Sequence, residues 1–382
     1  MDSNNIFSSF WLHNRFRRGR IRMYVSRRLQ AGIVFIAMVI VFFVSFFAVF
    51  NVFRARLHDS ADAALQATTQ IPASETTAVR EQETQLPAQP QAASQTDAVP
   101  RAAAEESVFV YLTNTGTVCG LSVRDYCIGA VAAEMPALYE EQALCAQAAA
   151  CLNIVRRAVQ AGPREQYDGA HITSSPSVDQ AYMTPQQLHD RWGSSYETYY
   201  KRIAAAVDTV LPYRIVDGEE LCVTAFHAIS PGRTEESENV WVSDVSYLTA
   251  VDSSFDATAP DYYNETQLSA AQFAQGLAVY GFDGSTEPSQ WIGQANYSDS
   301  GTLLELTVGN ITVSGADLRS AFGLHSAAVE VSYADDVFVL ATKGYGHGVG
   351  MSQYGAQQLA LQGKTWQDII YHYYKGVQIV PQ

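Results

Sequence analysis

Charge is scarce in this chain, and basic charge is scarcer still. Only 16% of the 382 residues are Asp, Glu, Lys or Arg. Nine of the 24 basic residues (Arg15, Arg17, Arg18, Arg20, Arg22, Arg27, Arg28, Arg54 and Arg56) lie in the first 56 positions, where Asp2 alone opposes them. That leaves 15 basic against 38 acidic residues over 57–382, a net of −23. Such a body repels nucleic acid and anionic lipid, so nucleic acid is not an expected partner. Cysteine is rare too: Cys119, Cys127, Cys145, Cys151 and Cys222. An odd count excludes a closed disulfide framework that uses them all. Cys145 and Cys151 fall on one predicted helix with about 9 Å of rise between them, beyond the ~7 Å reach of a disulfide. No CxxC pair and no Cys/His zinc spacing occurs. Most of the five read as small buried apolar residues, and neither metal nor other cofactor is expected.

Nucleotide-binding and hydrolase signatures are also missing. The glycines of "GYGHGVGMSQYGAQQLA", which begins at Gly344, form neither GxGxxG nor a P-loop, and "GMSQYG" is not a GxSxG elbow. There is no HExxH, which argues against a zinc peptidase or amidase.

What is present starts with a long apolar run. "AGIVFIAMVIVFFVSFFAVF", residues 31–50, holds no charge, and Ser45 is its only polar side chain. About 20 apolar residues cross a bilayer as a helix. A cleaved signal peptide has a shorter apolar core and a small-residue cleavage site, whereas this run ends in Asn51, Phe53 and Arg54. The reading is a basic cytoplasmic segment over 1–30, a transmembrane helix over 31–53, and a single-pass topology with the bulk of the chain extracytoplasmic, because the arginine excess precedes the span. Residues 54–106 are rich in Ala, Gln, Thr, Ser and Pro and read as a disordered linker that holds the outer part off the membrane.

Residues 107–382 read as one α+β domain. Hairpins are expected around Asn114–Gly116, Asp217–Gly218, Gly309–Asn310 and Asp335–Asp336. Helices are expected over "RDYCIGAVAAEM" (closed by Pro136), from about Tyr139 to Gln160, over 196–210 and 260–280, over "ADLRSAFGL", and over the final "SQYGAQQLALQG" and "TWQDIIYHYY". In the second of these, Glu140 and Glu141 open the helix and Arg156 and Arg157 close it, which suits the dipole at both ends. Residues 231–241 read as a polar loop. With no regular βαβ alternation, the class is α+β.

Three stretches carry chemistry. Glu134 sits inside "AVAAEMP", an apolar run at a helix end. A carboxyl group held away from water favours its neutral form and is a candidate proton donor; an exposed glutamate on the outer helix face is the plain alternative. Alternating glycines from Gly344 to Gly350 suit either a turn needing positive φ or a backbone that a ligand approaches closely. His347, Ser352, Gln353 and Tyr354, within and after that run, suit sugar hydroxyls and acetamido groups. His227, followed by Thr234, Glu235 and Trp241, ends a strand and could line a saccharide cleft.

"VRDYCIGAVAAEMPALYEEQALCAQAAA", "AFHAISPGRTEESENVW" and "GYGHGVGMSQYGAQQLALQGKTWQDIIYHYYKGVQI", in this order, resemble the stage II sporulation protein D family over roughly 107–382. The resemblance implies a membrane-anchored lytic transglycosylase that cuts the bond between N-acetylmuramic acid and N-acetylglucosamine in peptidoglycan. It implies work on peptide-stripped strands during septal wall thinning and forespore engulfment, beside a cell-wall amidase and other engulfment proteins. The family's catalytic glutamate falls on Glu134. The implied glycan-binding set is His347, Gly346, Gly348, Ser352, Gln353, Tyr354, His227, Ser230, Thr234, Glu235 and Gln147. There are three departures from the family pattern. Leu152 stands where many members carry arginine. Thr173, Val178 and Asp179 occupy places where some members bind zinc. Pro231 stiffens "SPGRTE" where Ser-Gly-Gly is usual. A catalytically weak glycan-binding scaffold that recruits or enhances an amidase is the alternative.

Overall fold

The first ordered strand pair shows how the sequence writes the fold. β1 (Ser107–Leu112) and β2 (Thr117–Ser122) are antiparallel, joined at Gly116, whose φ of 68° is one that glycine adopts without strain. The structure, a computed structural model, describes residues 106–382 apart from Val242. The expected membrane helix over 31–53 and all but the last residue of the expected linker lie outside the described residues. No helix among the described residues is long and apolar enough to cross a membrane.

Helix α1 (Val123–Glu134) starts where the Ser122 hydroxyl accepts the Asp125 N–H, and it stops at Met135, which is extended because Pro136 follows. Nine of its residues are buried, so it is a core helix on most sides. α2 (Glu141–Ala161) packs beside it, then β3 (Ile172–Thr173), which pairs parallel to β1. α3 (Pro185–Trp192) opens with a full capping box at Thr184 and Gln187, and α4 (Tyr196–Val210) packs on α1 and α2. β4 (Tyr213–Asp217) and β5 (Glu220–Leu221) form the expected hairpin, and the C-terminal β14 (Gln378–Pro381) closes a three-stranded sheet in the order β14-β4-β5. The short β6 (Phe226–His227) follows.

A second apolar cluster, separate from the one built around α1 and α2, is formed by residues between 273 and 340. Its elements are β7 (Tyr263–Ser269), α5 (Ala270–Leu277), β8 (Ile292–Tyr297), β9 (Leu303–Val308), β10 (Ile311–Val313), α6 (Gly315–Phe322), β11 (Val329–Ala334) and β12 (Val337–Lys343). Its strands make two antiparallel sheets, β10-β9-β8 and β11-β12-β7. Stacked rings fill it, with Phe273 and Phe338 4.2 Å apart between centroids. The chain then returns through the glycine turn to β13 (Met351–Ser352), α7 (Gln353–Leu361) and α8 (Trp366–Tyr373).

The α+β reading holds, with three corrections of detail. Residues 263–269, expected as helix, form β7, because "YNETQLS" alternates along the edge of β12; the helix begins only after Ser269 caps it with Gln272. Arg156 and Arg157 do not close α2, which runs on to Ala161. Arg156 instead donates to the carbonyls of Tyr213 (2.6 Å) and Leu211 (2.9 Å), and Arg157 donates to that of Leu221. The stretch after Pro231 is not a solvated loop, since Thr234, Glu235 and Ser237 are buried. All five cysteines are free, four of them buried.

Candidate functional site

The site begins at the end of α1. There Glu134 is half-buried, and its Oε1 accepts the backbone N–H of Ala181 at 2.9 Å. Gly129 makes this approach possible. A Cβ at that position would meet the Tyr182 ring at 2.4 Å and the Met183 carbonyl at 2.5 Å. The segment after Gln180 therefore crosses α1 in close contact, with the Met183 N–H on the Gly129 carbonyl at 3.2 Å. Arg191 on α3 reaches the same helix end, its Nη1 lying 3.5 Å from the Ala132 carbonyl and 3.2 Å from Met183 Sδ. A cation there is favourable beside the partial negative charge of a helix C-terminus.

On the other side of Glu134 stands Gln353, the first residue of α7. Its Nε2 lies 3.4 Å from Glu134 Oε2 and 3.5 Å from Gln147 Oε1. Gln147, on α2, is fully buried and donates to Cys151 Sγ at 3.4 Å. Glu134, Gln353 and Gln147 are thus joined side chain to side chain, although they come from three helices.

The glycine turn leads directly into Gln353. Tyr345 bridges Ile229, Val349 bridges Glu235, and β13 runs parallel to β6. At Gly346 a Cβ would stand 2.7 Å from His227 Cβ, and at Gly350 it would stand 2.1 Å from the Ala225 carbonyl; both residues also have positive φ. The closely approaching backbone at these two glycines is the protein's own, the strand and loop from 225 to 235.

Two imidazoles meet at this turn. The His227 and His347 ring centroids are 5.7 Å apart, and Trp241 lies 5.7 Å from His347 on another side. His347 Nδ1 accepts the Val349 N–H (3.1 Å), and His227 Nδ1 meets the Val349 carbonyl (3.1 Å). A carbonyl only accepts, so His227 carries its proton on Nδ1 and keeps a lone pair on Nε2. That Nε2 is buried without a partner. Loss of water pushes His347 down to about 4, helped by the Arg319 charge and opposed by the Phe226 carbonyl. The same desolvation, with His347 beside it, takes His227 down to about 3. Both rings are neutral near pH 7.

Most of the other expected site residues are buried. Ser230, Thr234 and Ser352 are fully buried. Ser230 donates its N–H to Asp256 Oδ2 (2.8 Å), Thr234 Oγ1 accepts the Val251 N–H (2.8 Å), and the Ser352 hydroxyl caps α7 at the Gly355 N–H (3.1 Å). Glu235, 1% exposed, accepts from Asn239 Nδ2 (2.8 Å) and from Ser298 Oγ (2.6 Å). Gly348 receives the Glu235 N–H on its carbonyl (2.8 Å). Tyr354 is half-buried, its hydroxyl 3.1 Å from Thr258 Oγ1. Leu152 is packed into the main core at 1% exposure. Asp179 holds the Thr173 N–H (2.8 Å) and pairs with Arg164 (2.6 Å). Among the described residues, no group of three or more His, Cys, Asp and Glu is arranged to hold a metal ion. Sequence reasoning missed Ala181, Gly129 and Arg191; the first acts through its backbone, which leaves no side-chain signal.

A proline-terminated core helix that ends in one carboxylate, faced by an amide and flanked by a histidine-bearing glycine turn, defines the class of protein. Residues 111–212 match the family model described as Stage II sporulation protein. The chain is 34% identical over 273 residues to Stage II sporulation protein D of Bacillus subtilis strain 168, a match covering 72% of this chain and 78% of that protein. It is likewise 34% identical over 274 residues to Stage II sporulation protein D of Bacillus amyloliquefaciens, with the same coverage of 72% and 78%. It is 26% identical over 210 residues to the Amidase enhancer of Bacillus subtilis, over 42% of this chain and 30% of that protein. The chain belongs to the stage II sporulation protein D family.

Proposed function

We propose that the protein is a lytic transglycosylase of peptidoglycan, with Glu134 as its acid and base. The observation that carries this reading is the setting of Glu134: one carboxyl group, fixed by the Ala181 N–H on one oxygen and facing the Gln353 amide on the other. The protonated carboxyl gives its proton to the glycosidic oxygen as the bond to the anomeric carbon of N-acetylmuramic acid breaks. The C6 hydroxyl of the same sugar attacks that carbon and passes its proton to the carboxylate, which returns the acid. No water is consumed, and the product ends in a 1,6-anhydro ring. One carboxylate suffices because the substrate brings its own nucleophile, unlike the two-carboxylate glycosidases. Gln353, His347 and Tyr354 line the sugar path, and Ser230, Thr234, Glu235 and Ser352 hold its wall from behind. The chain is anchored by residues 31–53, with the domain outside the cell membrane, and acts on septal wall during engulfment.

A second reading, a glycan-binding scaffold that enhances an amidase, is favoured by two observations. Leu152, where the family resemblance implies an arginine, is packed into the core, and one relative bears the name Amidase enhancer. Incubation of the full chain with peptide-stripped glycan, followed by mass spectrometry for anhydro ends, separates the two. Anhydro products from the parent and none from Glu134→Gln support catalysis. Retention of glycan without cleavage by either supports the scaffold.

A further inference from the structure

Arg319, on α6, has no carboxylate for a partner among the described residues, although the body of the chain is strongly acidic. Its Nε donates to the Leu324 carbonyl at 3.4 Å, and none of the ion pairs among the described residues includes it. Leu324 leads into His325, whose ring stacks on Tyr345 at 4.4 Å and whose carbonyl takes the Gly346 N–H at 3.0 Å. Ser326 then bridges Gly346. Arg319 is therefore fastened to the strip that docks on the glycine turn, one residue from His347. Its charge is felt by His227, His325 and His347, all of which are pushed toward their neutral forms, chiefly by burial. Burial also lowers Arg319 itself, and the one group opposing this is the Tyr345 phenol rather than an acid. A half-buried guanidinium without a counter-charge costs free energy, and its planar fork matches a carboxylate.

We infer that Arg319 is a carboxylate-binding residue of the glycan groove, which pairs with the lactyl carboxylate of a muramic acid residue whose stem peptide has been removed. This rests on the glycan reading above and adds to it the group that discriminates between strands. In peptide-bearing peptidoglycan the lactyl carbonyl is a neutral amide. Hydrolysis of that amide, with one water consumed and the peptide amine released, leaves the carboxylate and its negative charge. The reaction that supplies the preferred strand is therefore an amide hydrolysis. Stem peptides also carry carboxylates, so the source of the anion has to be resolved by the test.

The test uses the full chain carrying Glu134→Gln, so that no turnover intrudes, and measures equilibrium binding to three polysaccharides. These are peptide-stripped glycan, the same glycan with its carboxylates converted to amides, and peptide-bearing glycan. The expected result is about tenfold tighter binding to the stripped glycan than to the amidated one, as for a charge-assisted pair. That preference should shrink with added salt, vanish in Arg319→Gln, and persist in part in Arg319→Lys. Binding of the amidated glycan should be the same in all three proteins, which shows that the groove is intact. Equal affinity for stripped and amidated glycan overturns the proposal while leaving the glycan reading in place. So does an Arg319→Gln variant that weakens both alike, since that marks a merely structural residue. An Arg319-dependent preference for peptide-bearing strands assigns the anion to the peptide and overturns the lactyl source. Binding to none of the three overturns the glycan reading, and this proposal with it.

Discussion

Glu134 Oε1 takes its hydrogen bond from the Ala181 backbone, 2.9 Å away in space and 47 positions along the chain. The carboxyl group is thus oriented by a peptide unit that no side-chain substitution at 181 removes, apart from proline. Glutamine at 134 keeps an oxygen for that N–H but cannot transfer a proton. Glu134→Gln should therefore leave the melting temperature within a few degrees of the parent and abolish the formation of anhydro ends. A general acid contributes about 10²–10⁴-fold in rate, so residual cleavage above about one part in a hundred would sink the assignment.

Gly129 should be intolerant of even one methyl group. The Tyr182 ring and the Met183 carbonyl occupy the space that alanine would need. Helix propensity alone would favour alanine there by about 1 kcal/mol. Overpacking against backbone costs about 1–3 kcal/mol or more, so the net effect of Gly129→Ala is destabilising. Because the displaced segment carries the Ala181 N–H, cleavage should fall along with the melting temperature. A variant as stable and as active as the parent would show that the segment moves freely.

Asn153 closes a junction between α2 and the β4–β5 hairpin. Its amide donates to the carbonyls of Ile215 (2.7 Å) and Cys222 (3.1 Å) and accepts the Ile215 N–H (2.9 Å). Asn153→Leu fills the same volume but takes the side-chain partner from the Ile215 N–H and the Cys222 carbonyl, while the Ile215 carbonyl keeps the Cys222 N–H (3.0 Å). At about 1–3 kcal/mol for an unsatisfied buried group, the variant should lose several kcal/mol in denaturant titration. A loss under 1 kcal/mol would mean that water enters the junction.

The two imidazoles make stability depend on pH. In the folded protein His227 is pushed down to about 3 and His347 to about 4, from an ordinary value of 6.5. Between pH 6.5 and those values the unfolded chain binds protons that the folded chain refuses. Stability is thus fully present above about 6.5 and declines as the pH falls, by up to ~1.4 kcal/mol per pH unit for each ring. Asp256, whose carboxyl is raised mainly by burial, works in the opposite sense, so the informative quantity is a difference. The melting temperature of His227→Asn should fall less between pH 7 and pH 4.5 than that of the parent. Parallel curves for the two proteins would exclude the mechanism.

Turn chemistry and terminators were legible in the sequence. Asp335 and Asp336 both take positive φ, at 50° and 63°, in the tight turn that their pairing suggests, and Pro136 ends α1 where a proline must. Residues 263–269 were not legible, because β7 is held by its neighbour β12 and its own residues are weak strand formers. The two-residue strands β3, β6 and β13 exist only through partners far away in sequence. In the candidate site the glycines were conspicuous, but the sequence does not say what approaches them. At Gly346 and Gly350 it is the 225–235 segment, which no local pattern announces. Nothing in the sequence around Arg319 sets it apart; only the fold shows that it pairs with no acid among the described residues.

β12 runs out of the outer cluster of aromatic rings and into Gly344 with no linker between them. Its pairing with β7 and β11 therefore sets the phase of the histidine turn. A slip of one residue would advance that turn by about 3.3 Å and invert the side chains of the strand. Substitutions in the ring cluster would then be read out as misalignment of the groove as well as loss of stability.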